Sequence, residues 1–227
     1  MNARGECVKG ELIRNVATDR LFRMSFKSEW TCQDCGEINT RRDVANCLQL
    51  PMPPTRLDDR NLTHFIAEYF RPEAVEIACS SAQCSNVSRW RARDTVITAG
   101  PEILVIQMVR MRTDDYGRSS KVRYSVVPDH RLDLSQYTAR VRGTDSNMAL
   151  KYELHGIVSH RGDTLQSGHY ISTVRCQNGV DFACANDSII TNLGRDAEQI
   201  FKAAETRTWQ SYVLVYQKVG GKMAKCI

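Results

Sequence analysis

The sequence predicts an α+β, β-rich protein built on an antiparallel sheet. Three observations predict it. Short runs rich in β-branched and aromatic residues recur at residues 103–109, 152–159, 169–175, 180–185 and 211–217. Only two stretches, 59–70 and 196–204, carry the spacing of a helix. The connections between these segments are long. With 227 residues, 42% of them hydrophobic, the chain can bury a real core in one large domain or two small ones.

Along the chain, residues 1–20 are polar and weakly patterned. Phe22, Met24 and Phe26 alternate with polar residues and start a half-buried strand. Leu48-Gln49-Leu50 is a short strand stopped by Pro51, Pro53 and Pro54. In 59–70, Leu62, Phe65, Ile66, Tyr69 and Phe70 share one helix face; Asp58, Asp59 or Asn61 can cap it and Pro72 ends it. Ile103–Val109 is nearly continuous in apolar residues and follows Gly100-Pro101, so a fully buried strand is expected. Residues 112–120 read as a polar loop around Gly117, with another strand over 121–127.

The net charge of +5 is mild, and Lys and Arg are scattered. The densest basic patch, Arg89-Trp90-Arg91-Ala92-Arg93, reads as a solvated strand face. Basic and aromatic residues do not interleave along a strand, so a nucleic-acid partner is not expected. The N-terminus lacks the apolar core of a signal peptide, and no apolar run approaches the ~20 residues of a membrane helix. A soluble, intracellular protein, cytoplasmic or nuclear and without a membrane partner, is expected.

Nine cysteines are many for such a chain, and four are paired in sequence. Cys32-Gln33-Asp34-Cys35-Gly36 has the form of a zinc knuckle. Two intervening residues let both thiolates face one ion, and Gly36 supplies the positive φ such a turn often needs. Cys79 and Cys84 are separated by four residues, the loose end of ligand spacing. Four ordinary buried cysteines are the plain alternative. One structural Zn2+ shared by two hairpin tips is the reading adopted. Four thiolates leave no open position for catalysis.

Five histidines are present. His64 falls on the helix, His130 in a turn, and His155 and His160 in the strand over 152–159 or at its end. His169 follows Gly168, where the absent side chain lets a substrate backbone pass close, and Tyr170 leads on into a strand, a rigid support. Asn186 and Asp187 come one strand and turn later. A catalytic imidazole needs a partner for its second nitrogen, and a carboxamide fills that role in Cys-His-Asn arrangements. A satisfied histidine beside a turn-forming Asn186-Asp187-Ser188 fits the spacing equally well.

Several segments together resemble the ubiquitin-specific proteases, the papain-like cysteine deubiquitinases. They are Leu21-Phe22 leading to the first cysteine pair; the second pair after the helix and Glu73; and Pro101 to Met111. Lys121-Val122, Leu132 to Tyr137, and Tyr152 to Gly162 follow in the family's order. The chain then shows Gly168-His169-Tyr170, Asn186-Asp187-Ser188 and Ser211 to Tyr216. The likeness covers residues 21–217. It implies fingers around 21–50 and 72–98 carrying a zinc ribbon, and a palm mainly over 99–217. Residues 1–20 lie outside the match and 218–227 form a tail. It implies His169 as general base, Asn186 as its orienter and Asp187 as an adjacent helper. Gly168, Tyr170 and His160 would line the channel for the ubiquitin tail, with ubiquitin or ubiquitinated proteins as partners. Arg110-Met111 stands where the family has arginine-phenylalanine, the second cysteine pair is widely spaced, and Phe182 to Asn186 is less aromatic than usual.

The family's nucleophile stands in a Gly-Asn-Thr-Cys-like box that opens a helix of a thumb. No such box occurs here. Cys7, the one cysteine ahead of the first pair, has unmatched neighbours and sits too close to Cys32 for a thumb between them. Cys47, Cys176, Cys184 and Cys226 match no catalytic position. Two readings follow: a partial protease domain, inactive as this isolated chain, and a non-catalytic ubiquitin-binding scaffold.

Overall fold

The computed structural model describes residues 17–53, 61–85, 90–140, 147–162, 167–206 and 208–221. Helix α1 (Ala17–Phe22) leads into strands β1 (Met24–Cys32), β2 (Ile38–Ala45) and β3 (Leu48–Pro51). Helix α2 (Leu62–Phe70) precedes β4 (Glu73–Glu76), β5 (Trp90–Ala99) and β6 (Ile103–Val109). Short strands β7 (Met111–Thr113), β8 (Ser119–Lys121) and β9 (Arg131–Asp133) come before a 3-10 turn at Ser135–Tyr137. Then follow β10 (Lys151–Arg161), β11 (His169–Arg175), β12 (Phe182–Asn186), β13 (Ile189–Gly194), helix α3 (Ala197–Ala204) and β14 (Gln210–Lys218).

The strands form two main sheets. A four-stranded sheet has the order β2-β1-β5-β4 and is antiparallel throughout. The larger sheet runs β13-β12-β11-β10-β14-β6-β3, with β9 also pairing β10. It is antiparallel except at one edge, where β3 lies parallel to β6. A parallel pair needs a long crossover, and here α2 and two strands of the smaller sheet, β4 and β5, intervene in sequence. Pro51 is tolerated because β3 is an edge strand.

The core lies between the larger sheet and α2. Leu62, Phe65, Ile66 and Phe70 of α2 are buried with Leu104, Ile106 and Met108 of β6, Leu214 and Tyr216 of β14, and Tyr152, Leu154 and Ile157 of β10. Each such side chain withdrawn from water contributes about 1.5–3 kcal/mol. Strand β6 alternates: Leu104, Ile106 and Met108 are buried while Ile103, Val105 and Val109 are half-buried, so the expected burial on both faces holds fully for one. Helix α3 packs on the other end of the sheet, across β10 to β13, with Ile200 and Ala204 inward and Asp196 capping its start by accepting from the Glu198 amide at 2.9 Å.

Three local expectations are corrected. Phe22 ends α1 rather than opening a strand. Residues 112–120 are not a plain loop: β7 and β8 pair as a hairpin, with Asp114 accepting from the Tyr116 and Arg118 amides and Gly117 at φ +78°. The strand expected over 121–127 stops at Lys121, because the carbonyls of Val122 and Tyr124 accept from the Arg110 guanidinium and the Val126 amide donates to Glu205. Side chains have taken the backbone groups that a ladder would have used.

Candidate functional site

His169 opens β11 and Asn186 closes β12. The two residues after Asn186 make a tight hairpin turn, since Asn186 pairs with Ile189 across β12 and β13. Asp187 takes φ +52° there, a left-handed conformation that aspartate tolerates better than most residues. This turn holds Asn186 at the strand end, where its Oδ1 lies 2.6 Å from His169 Nε2. A carboxamide oxygen can only accept, so Nε2 donates in this contact, and in the neutral imidazole the lone pair stands on Nδ1. The Asp187 carboxylate is 3.6 Å from the same Nε2 and 77% exposed, so its contribution is small.

Sequence reasoning missed Trp209. Its ring lies 5.7 Å from that of His169, tilted by 58°, and Arg161 sits 4.9 Å above its face. Arg161 and His169 are directly opposed across β10 and β11, so both reach the same indole. An isolated aromatic just before the last strand carries no periodic signal in sequence.

His160 belongs to a separate packed group. It opposes Tyr170, and its ring is 4.5 Å from Tyr170 and 5.1 Å from Tyr212. Lys121 Nζ donates to His160 Nδ1 at 3.1 Å and to the carbonyls of His160 and Gly162 at 3.4 and 2.8 Å. Burial, then the neighbouring ammonium, lowers the His160 pKa, and the imidazole is neutral with its proton on Nε2. Gly168 has a reason of its own beside this ring: a Cβ there would run into His160 Nε2 and come within 2.7 Å of the Arg161 carbonyl oxygen. Tyr170 is 56% exposed. Of the other histidines, His64 is half-buried on α2, His130 is exposed, and His155 has a buried Nδ1 with no hydrogen-bond partner among the described residues.

A buried ion pair braces this end of the sheet. Arg110 donates to the carbonyls of Ser211, Tyr124 and Val122 at 2.7, 2.8 and 3.3 Å and meets Glu205 at 3.4 Å. Glu205 also accepts from the amides of Val126 and Ser211, at 3.3 and 2.5 Å. Burial pushes the Glu205 pKa up and that of Arg110 down. The pair ties the end of α3 to the start of β14, and Trp209 projects from the turn between them.

The two cysteine pairs meet. Cys32 ends β1, and Gly36, at φ +73°, turns the chain back so that its amide donates to the Cys32 carbonyl at 3.0 Å. Cys79 and Cys84 come from the segment after β4. The four sulfurs lie within 4.8 Å of one another. Cys32 and Cys84 are 3.8 Å apart, as are Cys35 and Cys79. Zinc–sulfur bonds of about 2.3 Å in a tetrahedron require sulfur spacings of about 3.8 Å, so the four groups could hold a metal such as zinc. The amides of Cys35 and then Asp34 lower the Cys32 pKa to about 7, toward the thiolate a metal needs. One basic residue departs from the solvated face expected of it: Arg91 is only 3% exposed.

A separate cleft of about 740 Å³ opens between α2, β1 and β5 and shares none of the residues around His169. Among the described residues, no helix is long and apolar enough to cross a membrane.

The family model for ubiquitin carboxyl-terminal hydrolases matches residues 7–216, starting ahead of the stretch beginning at Leu21. Mouse ubiquitin carboxyl-terminal hydrolase 27 is 27% identical over 212 residues, covering 78% of this chain and 47% of its own length. The probable ubiquitin carboxyl-terminal hydrolase creB of Aspergillus niger is 25% identical over 199 residues, covering 87% of this chain and 25% of its own. The chain thus spans about half or less of these relatives. Among solved structures, the SAGA Ubp8/Sgf11/Sus1/Sgf73 DUB module bound to ubiquitin aldehyde contains a chain that superposes with a TM-score of 0.76. That match has 21% identity and covers 92% of this chain and 44% of that one, a likeness of fold. The family model spans most of the chain, and the chain belongs to the ubiquitin carboxyl-terminal hydrolase family.

Proposed function

We propose that this chain supplies the base, its orienter and a zinc-stapled ubiquitin-gripping sheet for thiol-dependent cleavage at the ubiquitin C-terminus. The observation that carries the reading is the 2.6 Å contact between His169 Nε2 and Asn186 Oδ1. In this reaction a cysteine thiolate attacks the carbonyl of the last ubiquitin glycine. His169 Nδ1 takes the thiol proton and gives it to the leaving amine as the tetrahedral intermediate collapses to the acyl-enzyme; water, deprotonated by the same nitrogen, then hydrolyses the thioester and frees the thiol. Asn186 keeps Nε2 protonated and the ring aimed, with Asp187 as a weak electrostatic helper. Gly168, Tyr170 and His160 flank the path of the ubiquitin tail. Ubiquitin as partner is supported by the family relatives and by the solved neighbour bound to ubiquitin aldehyde. Cys32, Cys35, Cys79 and Cys84 hold one structural zinc.

None of the nine cysteines stands in the family's nucleophile box, and Cys7 lies outside the described residues. The 227 residues tested alone therefore bind ubiquitin weakly and do not cleave it. A ubiquitin probe with a cysteine-reactive C-terminus is expected to leave the chain unlabelled, while ubiquitin shifts NMR resonances around His169 at high micromolar concentration. Covalent labelling that disappears in Cys7→Ser overturns the assignment of inactivity. Absence of any shift at millimolar ubiquitin overturns the partner. Sub-micromolar binding without labelling turns the reading to a non-catalytic ubiquitin scaffold.

A further inference from the structure

Arg91 sits beside the cysteine cluster in a way that ordinary packing does not explain. It opposes Cys32 directly across β5 and β1, so the two side chains share one face of the smaller sheet. The side chain is withdrawn from water, with 3% exposure. One end of its fork donates to Asn39 Oδ1 on β2, and the other donates to the Ala78 carbonyl at 3.2 Å, next to Cys79. The guanidinium therefore ties the hairpin that follows the first knuckle to the backbone of the second. Both acceptors are neutral. The Nε–H is buried and, among the described residues, has no hydrogen-bond partner. A buried donor without an acceptor and a buried cation against neutral groups are both costly unless a negative centre lies close by.

The cluster would supply that centre. Zn2+ with four thiolates carries a net charge of −2, and the carboxylates nearest in sequence, Asp34, Glu37 and Glu76, add to it. Arg93, two residues on, is engaged with Glu73. We infer that Arg91 is a positioning residue for the metal centre. Its charge offsets the excess negative charge of the tetrathiolate, and its fork fixes the backbone that presents Cys79. The inference rests on the reading that the cluster binds zinc, and it is independent of whether the chain cleaves ubiquitin.

The test measures zinc release from the purified full chain to an excess of a chromophoric chelator, after elemental analysis of the wild type. One zinc per wild-type chain is expected. Arg91→Met is expected to release it about 10–100-fold faster, the usual cost of removing support behind a metal ligand. Arg91→Lys, which keeps the charge and loses the fork, should fall between the two. With Co2+ in place of zinc, the thiolate-to-metal charge-transfer band should be weaker or shifted in Arg91→Met and largely restored in Arg91→Lys. Asn39→Ala, at an exposed position, removes one anchor without touching the core and should speed release several-fold, which keeps the test decisive where Arg91→Met does not fold. A wild type without zinc removes the metal reading itself. A zinc-loaded wild type whose Arg91→Met and Asn39→Ala variants release at the same rate overturns the role of Arg91, as does an Arg91→Lys variant no slower than Arg91→Met.

Discussion

Replacing Arg110 by methionine tests the brace behind the His169 site. The guanidinium has no solvent exposure and the Glu205 side chain is 5% exposed. The substitution keeps most of the volume but strands a buried carboxylate. Breaking one side of a buried pair costs about 3–5 kcal/mol. The Ser211 and Tyr124 carbonyls lose their donor too, but backbone relaxation overlaps with the first loss, and about 4 kcal/mol is expected in all. That is a large part of the about 5–15 kcal/mol available to a typical domain. Urea unfolding of the purified chain reads it.

The penalty should depend on pH with a defined sign. Burial already raises the Glu205 pKa above its unfolded value, and loss of Arg110 raises it further. A carboxyl with a raised folded pKa contributes most stability below its unfolded pKa, and that contribution is lost as pH rises through the folded pKa. Arg110→Met should therefore be nearer the wild type at pH 5 than at pH 8. Glu205→Gln in the Arg110→Met background should recover about 2 kcal/mol at pH 8, because the amide still accepts from one of the two backbone donors without a charge. A penalty below about 1.5 kcal/mol, or one equal at both pH values, refutes an argument built on a stranded anion.

Gly168→Ala should cost about 1–3 kcal/mol in stability, because the new methyl meets an imidazole pinned by Lys121, Tyr170 and Tyr212. The companion variant Gly168→Ala/His160→Ala should regain part of it in thermal melts. Burial lowers the pKa values of His155 and His160. Their stabilisation is complete above the unfolded histidine pKa of about 6.5 and falls as pH drops toward the lowered folded values, and His160→Gln should flatten that slope in melts from pH 7.5 to 5. Nitrogen NMR of His169 should show the Nε2–H tautomer in the wild type and a mixed population in Asn186→Ala; an unchanged spectrum would remove Asn186 as the orienter.

The apolar strands were legible in sequence because one of their faces is buried. Residues 103–109, 169–175 and 211–217 match β6, β11 and β14 within a residue or so. Strands β2 and β4 escaped notice because both faces are largely wet, so their side chains carry no alternation. The cysteine spacing was enough to predict one cluster, since four thiols able to hold one ion must converge whatever loops carry them. Arg91, Trp209 and the Arg110–Glu205 pair were not legible as a set. Their roles arise from contacts between segments far apart in sequence, and an arginine that folds inward is written like one that faces water.

Strand β13 is laddered only on its β12 side and carries Ile189 and Ile190 at 62% and 67% exposure. Asn186 stands at the tip of that outermost hairpin, while His169 is on β11, one strand closer to the centre of the sheet. Edge hairpins with exposed hydrogen bonds and few apolar contacts open at a lower free energy than the strands behind them. Amide exchange should accordingly be faster in β13 than in β10 or β14. Warming would then draw Asn186 away from His169 while the rest of the sheet stayed folded, so their contact would be lost reversibly, before any loss of native fluorescence.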